Sequence, residues 1–307
     1  ADPKVRAEGD KLLNLAADAY DGIALYARAK RTLAASPDEA ASSGALHDLA
    51  VAGKLLRHPL AKDDPRIQAI EVKLPLPRRA LDLRTVDWDL AAKALGGAPP
   101  VSDLAAPDVK SCDPYIAIFP RFLSEEECDF LIALANPHLR PSQVTDPITG
   151  KYISIDYRTS HDMRFWHVFQ DLAVFCINLR IAKASAEPLS HQEMLGVLRY
   201  HPGEEYKPHG DFLTPDAQGK NAEVERSGQR TKTFLTYLNA DYEGGETEFI
   251  KLGLKVKGAK GDGLLFRNVT EAGAPDERTI HAGLPITQGV KWLSTIWIRA
   301  REYRYRD

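Results

Sequence analysis

The sequence predicts an α+β protein in which an α-helical N-terminal region precedes a domain made largely of short β-strands. Three observations indicate this fold class. Residues 1–95 have apolar side chains at helical spacing, composition shifts at a Gly- and Pro-rich stretch, and from residue 194 onward the apolar period becomes two. We therefore expect an N-terminal domain at 1–97 and a second domain at 98–307.

Composition is that of an ordinary globular chain and narrows the range of partners. The 307 residues suffice for one large domain or two modest ones, with 44% hydrophobic and 27% charged residues. A net charge of −3 lacks the broad basic surface typical of nucleic-acid binding. No apolar run approaches the roughly 20 residues that cross a bilayer, and the first residues lack a signal-peptide pattern. We expect no nucleic-acid or membrane partner and a cytoplasmic location.

The N-terminal region is predicted to consist of helices. Its apolar positions recur at spacings of three and four, as in Leu12, Leu15, Ala16, Ala19 and Ile23. Ser36 and Glu39 form a helix-start signal, because Ser36 can cap and Glu39 can complete a capping box. Two roles are open. The region packs against the second domain or a second copy of the chain, giving a homodimer, or it binds a peptide or protein partner.

The second domain begins with mixed elements. Residues 114–119 predict a strand, and residues 124–127 form a capping box that opens a helix. The polar stretch 142–164 is long for a plain connection, so we expect a lid or binding loop there. A helix is predicted at 166–182.

Short strands separated by Gly and Asp clusters occupy the rest of the chain. They are predicted at 194–200, 231–239, 247–250, 263–267, 279–283 and 290–299. This arrangement is typical of an antiparallel sandwich or barrel.

A histidine and an aspartate lie two residues apart after the first of these strands. If they are on a strand, His209 and Asp211 point to one face. His281 ends another strand-like run, at 278–281. Two histidines and one carboxylate are the facial triad that binds non-haem Fe(II) and leaves coordination positions open. A jelly roll (double-stranded β-helix) is the natural container for a metal at its mouth.

The last predicted strand opens with a lysine. Alternation puts Lys291, Leu293, Thr295 and Trp297 on one face. A lysine on an otherwise apolar face is costly to bury unless an anion meets it. A dicarboxylate co-substrate would provide that anion.

Together these motifs resemble the Fe(II)- and 2-oxoglutarate-dependent dioxygenases, and most closely their prolyl 4-hydroxylase branch. The matching segments are 199–206, 209–211, 229–230, 234–239, 244–249, 260–266, 281–286 and 289–293. Residues 149–151 and 158–160 also look like that family's substrate-covering loop. Lysine at position 291 favours this branch, because several sister branches use arginine there. The resemblance spans about 112–303, outside the N-terminal helices.

The resemblance implies roles for nine residues. They are the Fe(II) ligands His209, Asp211 and His281, the 2-oxoglutarate contacts Lys291, Tyr200 and Thr236, and the prolyl-substrate contacts Tyr206, Arg230 and Trp297. Iron is the cofactor, 2-oxoglutarate and O2 are co-substrates, and L-ascorbate is the expected reductant. Loops 142–164 and 213–229 would cover the site and exclude water.

The function implied is hydroxylation of prolyl residues in a peptide or protein. One alternative keeps the chemistry but acts on a free amino acid or a small natural product. Another alternative, of a different class, is a non-catalytic helical interaction protein with a degenerate jelly roll.

Overall fold

The structure is a computed structural model that describes residues 3–19, 21–35, 39–55, 65–73, 87, 104–142, 144–145, 152–153, 158–165, 172–214 and 221–303. The chain divides into two compact units, Ala1–Pro100 and Val101–Asp307. The boundary predicted at residues 97 and 98 lies outside the described residues. No helix within the described ranges combines the length and the apolar character that a membrane crossing requires.

The first unit contains helices. They are α1 (Pro3–Asp18), α2 (Gly22–Ala35), α3 (Glu39–Leu55) and α4 (Pro65–Gln68). Helices α2 and α3 pack together and bury small side chains, including Ala29 and Ala52 at 0% exposure. Arg28 also joins them, because its Nε donates to Asp48 Oδ2 over 2.7 Å. The predicted cap at Ser36 lies outside the described residues, and α3 begins at Glu39.

The second unit mixes helices with antiparallel strands. In chain order they are β1 (Asp108–Cys112), β2 (Tyr115–Phe119), α5 (Glu125–Ala135), β3 (Arg140–Pro141), β4 (Val144–Thr145), β5 (Tyr152–Ile153), β6 (His161–Arg164), α6 (Leu172–Ser185), β7 (Gly196–Tyr200), β8 (Tyr206–His209), α7 (Ala222–Ser227), β9 (Arg230–Tyr237), β10 (Tyr242–Gly244), β11 (Thr247–Phe249), β12 (Leu254–Val256), β13 (Gly263–Arg267), β14 (His281–Gly283), β15 (Ile286–Gly289) and β16 (Lys291–Arg299).

Two main sheets form from the described strands. The larger has eight strands in the order β1-β2-β13-β9-β16-β7-β6-β3, and the smaller has the order β12-β11-β14-β8. Strands β10 and β15 form a separate pair, as do β4 and β5. Several neighbouring strands are distant in sequence, including β9 and β16, β7 and β16, and β8 and β14, so the topology brings widely separated residues together.

Each face of the larger sheet has its own core. On one face, α5 and α6 contribute Leu131 and Ile177, which are at most 1% exposed. On the other face, Tyr237 and Leu293 of the larger sheet pack with Phe249 of the smaller one. Burying one such side chain stabilises the fold by about 1.5–3 kcal/mol. These two layers fix the larger sheet and leave the site at the edge of the second core.

Several predicted elements are confirmed, with shifted ends. The capping box at α5 is present, since Ser124 and Glu127 exchange side-chain and backbone hydrogen bonds. The predicted strand at 263–267 coincides with β13. The helix predicted from 166 begins at Leu172 in the described part of the chain. The expected loop 142–164 includes β4, β5 and β6, and α7 lies within the expected loop 213–229.

Candidate metal centre

Strand pairing in the smaller sheet brings the two histidines of the triad together. His209 ends β8, His281 begins β14, and the two residues are direct partners in the antiparallel ladder. Asp211 lies between them in space. Its Oδ1 is 3.8 Å from His209 Nε2, and its Oδ2 is 3.8 Å from His281 Nε2. One ligand atom from each residue lies within 4.8 Å of the other two, which suits a single ion.

The local backbone differs from the prediction that His209 and Asp211 share one face of a strand. Strand β8 ends at His209, and Asp211 lies in the bend that follows. Gly210 lies in this bend, and a Cβ there would lie 2.6 Å from the ring of Phe212, which would have to shift. The two ligands therefore converge through a turn and not through strand alternation.

Backbone carbonyls orient both imidazoles. The Nδ1–H of His209 donates to the Lys207 carbonyl over 2.8 Å, and that of His281 donates to the Thr279 carbonyl over 3.0 Å. These bonds select the tautomer in which Nε2 carries the free lone pair. Both Nε2 atoms face the Asp211 carboxylate, so the histidines are preset as ligands.

A buried polar chain holds the carboxylate. Thr233 Oγ1 donates to Asp211 Oδ2 over 2.7 Å, and Asn268 Nδ2 donates to Thr233 Oγ1 over 2.8 Å. Thr233 and Asn268 are both 0% exposed. Neither was predicted from the sequence, since they lie 22 and 57 residues from Asp211 and no local pattern marks them.

The electrostatics favour the ligand forms of these groups. Burial, followed by the neighbouring His281, lowers the pKa of His209 to about 3. Burial opposes ionisation of Asp211, but His281, His209 and the Thr233 hydrogen bond outweigh it and hold the Asp211 pKa below its usual value. A neutral imidazole and an ionised carboxylate are the forms that bind a metal. The residues present therefore fit a divalent ion.

A pocket opens beside the three ligands. Its walls come from both sheets and from the segment before β6. The lining residues are Arg158, Leu198, Tyr200, Tyr206, His209, Asp211, Leu235, Thr247, His281, Gly283, Lys291, Leu293, Thr295 and Trp297.

Lys291 is a buried cation in this wall. It is 3% exposed, and its Nζ donates to the Gly245 carbonyl over 2.6 Å. Burial lowers the Lys291 pKa to about 8, although the field of Glu246 acts in the opposite direction. An ammonium has three donors, so the carbonyl leaves capacity for an anion. Gly245 has φ +68°, and a Cβ there would overlap Ile286, so glycine is needed beside the lysine.

Tyr200 on β7 lies directly opposite Lys291 on the neighbouring strand β16. The two residues are ladder partners, and Lys291 Nζ is 5.6 Å from the centre of the Tyr200 ring. Burial raises the pKa of Tyr200, while its hydrogen bonds with Ser160 and Arg158 oppose that rise. Tyr200 is therefore a neutral hydroxyl inside the pocket.

Tyr206 and Trp297, which were predicted to contact the substrate, both line the pocket. The Tyr206 ring stacks on the His209 imidazole with 3.5 Å between centroids. Arg230 is placed differently, because it lies over the Trp297 ring at 3.6 Å and both its Nε and Nη2 donate to Glu193, at 2.7 and 3.0 Å. Arg230 therefore supports Trp297 from outside the lining.

Thr236 does not reach the pocket. Its ladder partner on β16 is Ser294, whereas Leu235 pairs with Thr295 and shares the pocket face. Thr236 thus points to the opposite face, the one covered by α5 and α6. It cannot contact a group bound in the pocket, and we remove it from the site.

Arg158 is a pocket residue to which the sequence analysis gave no role. It is 5% exposed, and its guanidinium lies 4.9 Å from the centre of the Tyr206 ring. The sequence signal was its place in the segment 158–160, which we had interpreted only as part of a covering loop.

A mononuclear site of two histidines and one aspartate, set beside a buried lysine between two antiparallel sheets, defines an oxygenase-type iron centre. The sequence profile of the 2OG-Fe(II) oxygenase superfamily matches residues 195–299. Prolyl 4-hydroxylase 1 of Arabidopsis thaliana is 39% identical over 209 residues, which is 64% of this chain and 72% of that protein. Probable prolyl 4-hydroxylase 3 of the same plant is 37% identical over 216 residues, covering 64% and 73% of the two chains.

The solved structure of the viral collagen prolyl hydroxylase from Paramecium Bursaria Chlorella virus-1, a 2OG complex, is 29% identical. It covers 62% of this chain and 98% of the viral chain, with a TM-score of 0.49. On the strength of the Arabidopsis relatives, the chain belongs to the prolyl 4-hydroxylase family of 2OG-Fe(II) oxygenases. It is thus an enzyme of the class that uses Fe(II), 2-oxoglutarate and O2.

Proposed function

We propose that this protein hydroxylates prolyl residues in a peptide or protein, with Fe(II) held by His209, Asp211 and His281. The observation that supports this most directly is the triad itself, whose three ligand atoms lie within 4.8 Å of one another. The family relationship supports the prolyl substrate, since the Arabidopsis relatives are named prolyl 4-hydroxylases. The two-sheet arrangement supports a jelly roll. We retain 1–97 as the limits of the helical domain and 98–307 as the limits of the jelly-roll domain.

The chain's own residues have distinct tasks in this proposal. Lys291 pairs with the distal carboxylate of 2-oxoglutarate, because it is a buried cation of the pocket wall with free donor capacity. Tyr200 supports the same co-substrate through its hydroxyl. When bound, iron and 2-oxoglutarate supply the oxidising chemistry that the side chains lack.

The protein's other contribution is positioning. Tyr206 and Trp297 offer aromatic faces to a proline ring, and Arg230 holds Trp297 in place through its contact at 3.6 Å. The Thr233 hydroxyl donates to Asp211, and both histidines donate to backbone carbonyls, so all three ligands are held in place.

Incubation with Fe(II), 2-oxoglutarate and a proline-rich peptide tests the proposal. The expected result is a mass gain of one oxygen on proline, matched by formation of succinate. Oxygen transfer only to free proline or to another small molecule would favour that alternative substrate class. The non-catalytic interaction protein is not retained, because the family is enzymatic and the ligand set is intact. Homodimerisation, use of ascorbate, a cytoplasmic location and partner binding by the N-terminal helices stay predictions.

A further inference from the structure

One loop of the chain is connected by hydrogen bonds to two of the three metal ligands. This β13–β14 loop joins those two strands and comprises residues 268–280. At its start, Asn268 reaches Asp211 through one threonine hydroxyl. At its end, the Thr279 carbonyl accepts the Nδ1–H of His281 over 3.0 Å. The orientation of both ligands therefore depends on how this loop is folded.

Asp276 is the residue at which the two ends of the loop meet. It is only 3% exposed. Its backbone N–H donates to the Asn268 carbonyl over 3.0 Å, on the side that leads to Asp211. Its backbone carbonyl accepts from both the N–H and the hydroxyl of Thr279, at 3.0 and 2.7 Å. Two hydrogen bonds thus connect Asp276 to the residue whose carbonyl orients His281.

The side chain of Asp276 fixes the turn that leads to Thr279. Its Oδ1 accepts from the backbone N–H of Arg278 over 3.0 Å and so caps the 3₁₀ turn Glu277–Thr279. The Arg278 guanidinium also binds this carboxylate as a fork, with Nε–Oδ1 at 2.9 Å and Nη2–Oδ2 at 2.7 Å. A second carboxylate, that of Asp113, accepts from the same guanidinium on its exposed side. Removing the Asp276 side chain should therefore allow the turn and its last carbonyl to move.

The other contacts of His281 do not replace this carbonyl. The rings of Phe249 and Phe266 pack against the imidazole, with centroids 5.6 and 4.9 Å away. They restrict the plane of the ring, but a hydrogen-bond acceptor is needed to select the nitrogen that carries the proton. Once the Thr279 carbonyl has moved, Asp211 Oδ2 competes for that proton, since it lies 3.8 Å from Nε2. A proton on Nε2 would occupy the atom that must bind the metal.

We propose that Asp276 is a positioning residue of the metal centre, which keeps the His281 proton on Nδ1 and helps to hold Asp211. It contacts neither the ion nor a substrate and acts through the β13–β14 loop. The inference rests on the metal centre of the proposed function and is independent of the prolyl substrate. It predicts that a substitution of Asp276 weakens metal binding although all three ligands are intact.

Nuclear magnetic resonance of the imidazole nitrogens in the metal-free protein tests the effect on the proton. In the wild-type protein both histidines of the triad should carry it on Nδ1. Asp276→Ala should give His281 a measurable fraction of the Nε2–H tautomer and leave His209 unchanged. His209 is the internal control, because its acceptor is the Lys207 carbonyl, outside the loop. A purely structural role of Asp276 would lower the urea midpoint of unfolding without changing either tautomer.

Chelator competition for Fe(II), with oxygen excluded, tests the effect on the metal. Asp276→Ala should weaken Fe(II) binding about 10–100-fold, as is usual when a hydrogen-bond partner of a ligand is disturbed. Asp276→Asn keeps an oxygen that can accept the Arg278 N–H, so it should lose less affinity. Glu277→Gln is the matched control, because it removes an exposed ion pair with Lys251 from the same turn and should leave both measurements at wild-type values.

A milder variant keeps the inference testable if Asp276→Ala does not fold. Thr279→Val removes only the 2.7 Å bond from its hydroxyl to the Asp276 carbonyl. It should weaken Fe(II) binding about threefold, the size of one neutral hydrogen bond, and shift the His281 tautomer in the same direction.

An unchanged His281 tautomer in the variant that folds overturns the inference, and so does an unchanged Fe(II) affinity. Equal tautomer changes at His209 and His281 also overturn it, because they indicate a general loosening of the site. If Glu277→Gln weakens Fe(II) binding as much as Asp276→Ala, no specific role of Asp276 is left. If the wild-type protein itself does not bind Fe(II), the metal centre of the proposed function fails and this inference fails with it.

Discussion

Replacing Lys291 by methionine should abolish most binding of 2-oxoglutarate without removing the metal ligands. The lysine is 3% exposed, so its partner carboxylate would be buried without a counter-charge in the variant. Breaking a buried pair in this way costs about 3–5 kcal/mol. Since about 1.4 kcal/mol corresponds to a factor of ten, the KM for 2-oxoglutarate should rise by about a hundredfold or more.

The wild-type enzyme should also show this interaction in its pH dependence. Burial lowers the pKa of Lys291 to about 8, and the ammonium is the form that binds a carboxylate. Below pH 8 the lysine is charged and the interaction is fully available. Above pH 8, binding requires uptake of a proton, so the KM should rise about tenfold for each further unit.

Succinate formation at varied 2-oxoglutarate concentrations, from pH 7 to 9.5, measures both effects. Lys291→Arg is the matched control, because a guanidinium stays protonated across this range and should give a flat profile whatever its absolute affinity. The reasoning is refuted if the wild-type KM is constant over that range. It is equally refuted if Lys291→Met changes the KM less than threefold.

Other substitutions give separate predictions. At pH 7, Lys291→Met should raise the Tm of the iron-free protein in calorimetry, because it removes a buried charge. This gain in Tm should shrink between pH 8 and 10.5. In that range the lysine of the native wild-type protein is already neutral, whereas the lysine of the unfolded protein is still charged. Thr233→Val removes the 2.7 Å bond to Asp211 and should weaken metal binding about 10–100-fold in a chelator competition. Thr236→Val, on the opposite face of the same strand, is its control and should keep wild-type metal affinity and KM. Gly245→Ala forces a side chain into a φ of +68° and should destabilise the protein by about 1–3 kcal/mol in urea unfolding, with a raised KM for 2-oxoglutarate.

The sequence predicted the metal ligands and Lys291 because each has a marker in its own segment. His209 and His281 belong to an uncommon residue type, with 9 histidines in the chain, Asp211 lies two residues from His209, and Lys291 opens an apolar strand. The bend at Gly210 was missed because alternation arguments assume that a strand continues. Strand β8 in fact ends at the first ligand.

Thr236 shows where such arguments fail. All residues of β9 from Thr233 to Tyr237 are buried, because the strand has a core on each face. In a strand buried on both sides, apolar and polar residues do not alternate, so the sequence cannot indicate which face holds the pocket. For the same reason the sequence pointed to Thr236 as a site residue, whereas in the structure Thr233 is the threonine of this strand that contacts the site. Their roles follow only from the ladder that pairs Thr236 with Ser294.

Two ladder registers therefore determine the site. The β8–β14 pair aligns His209 with His281, and the β7–β16 pair aligns Tyr200 with Lys291. A slip of one residue would turn either side chain away from the pocket. Asn239 opposes a slip in β16, because its side chain donates to the Val290 carbonyl at 2.7 Å and accepts from the Trp292 N–H at 2.7 Å. Its two bonds bracket Lys291, so the lysine is held by the sheet and not by a mobile loop. An anchor fixed in this way can orient a bound dicarboxylate toward the metal without waiting for a lid to close.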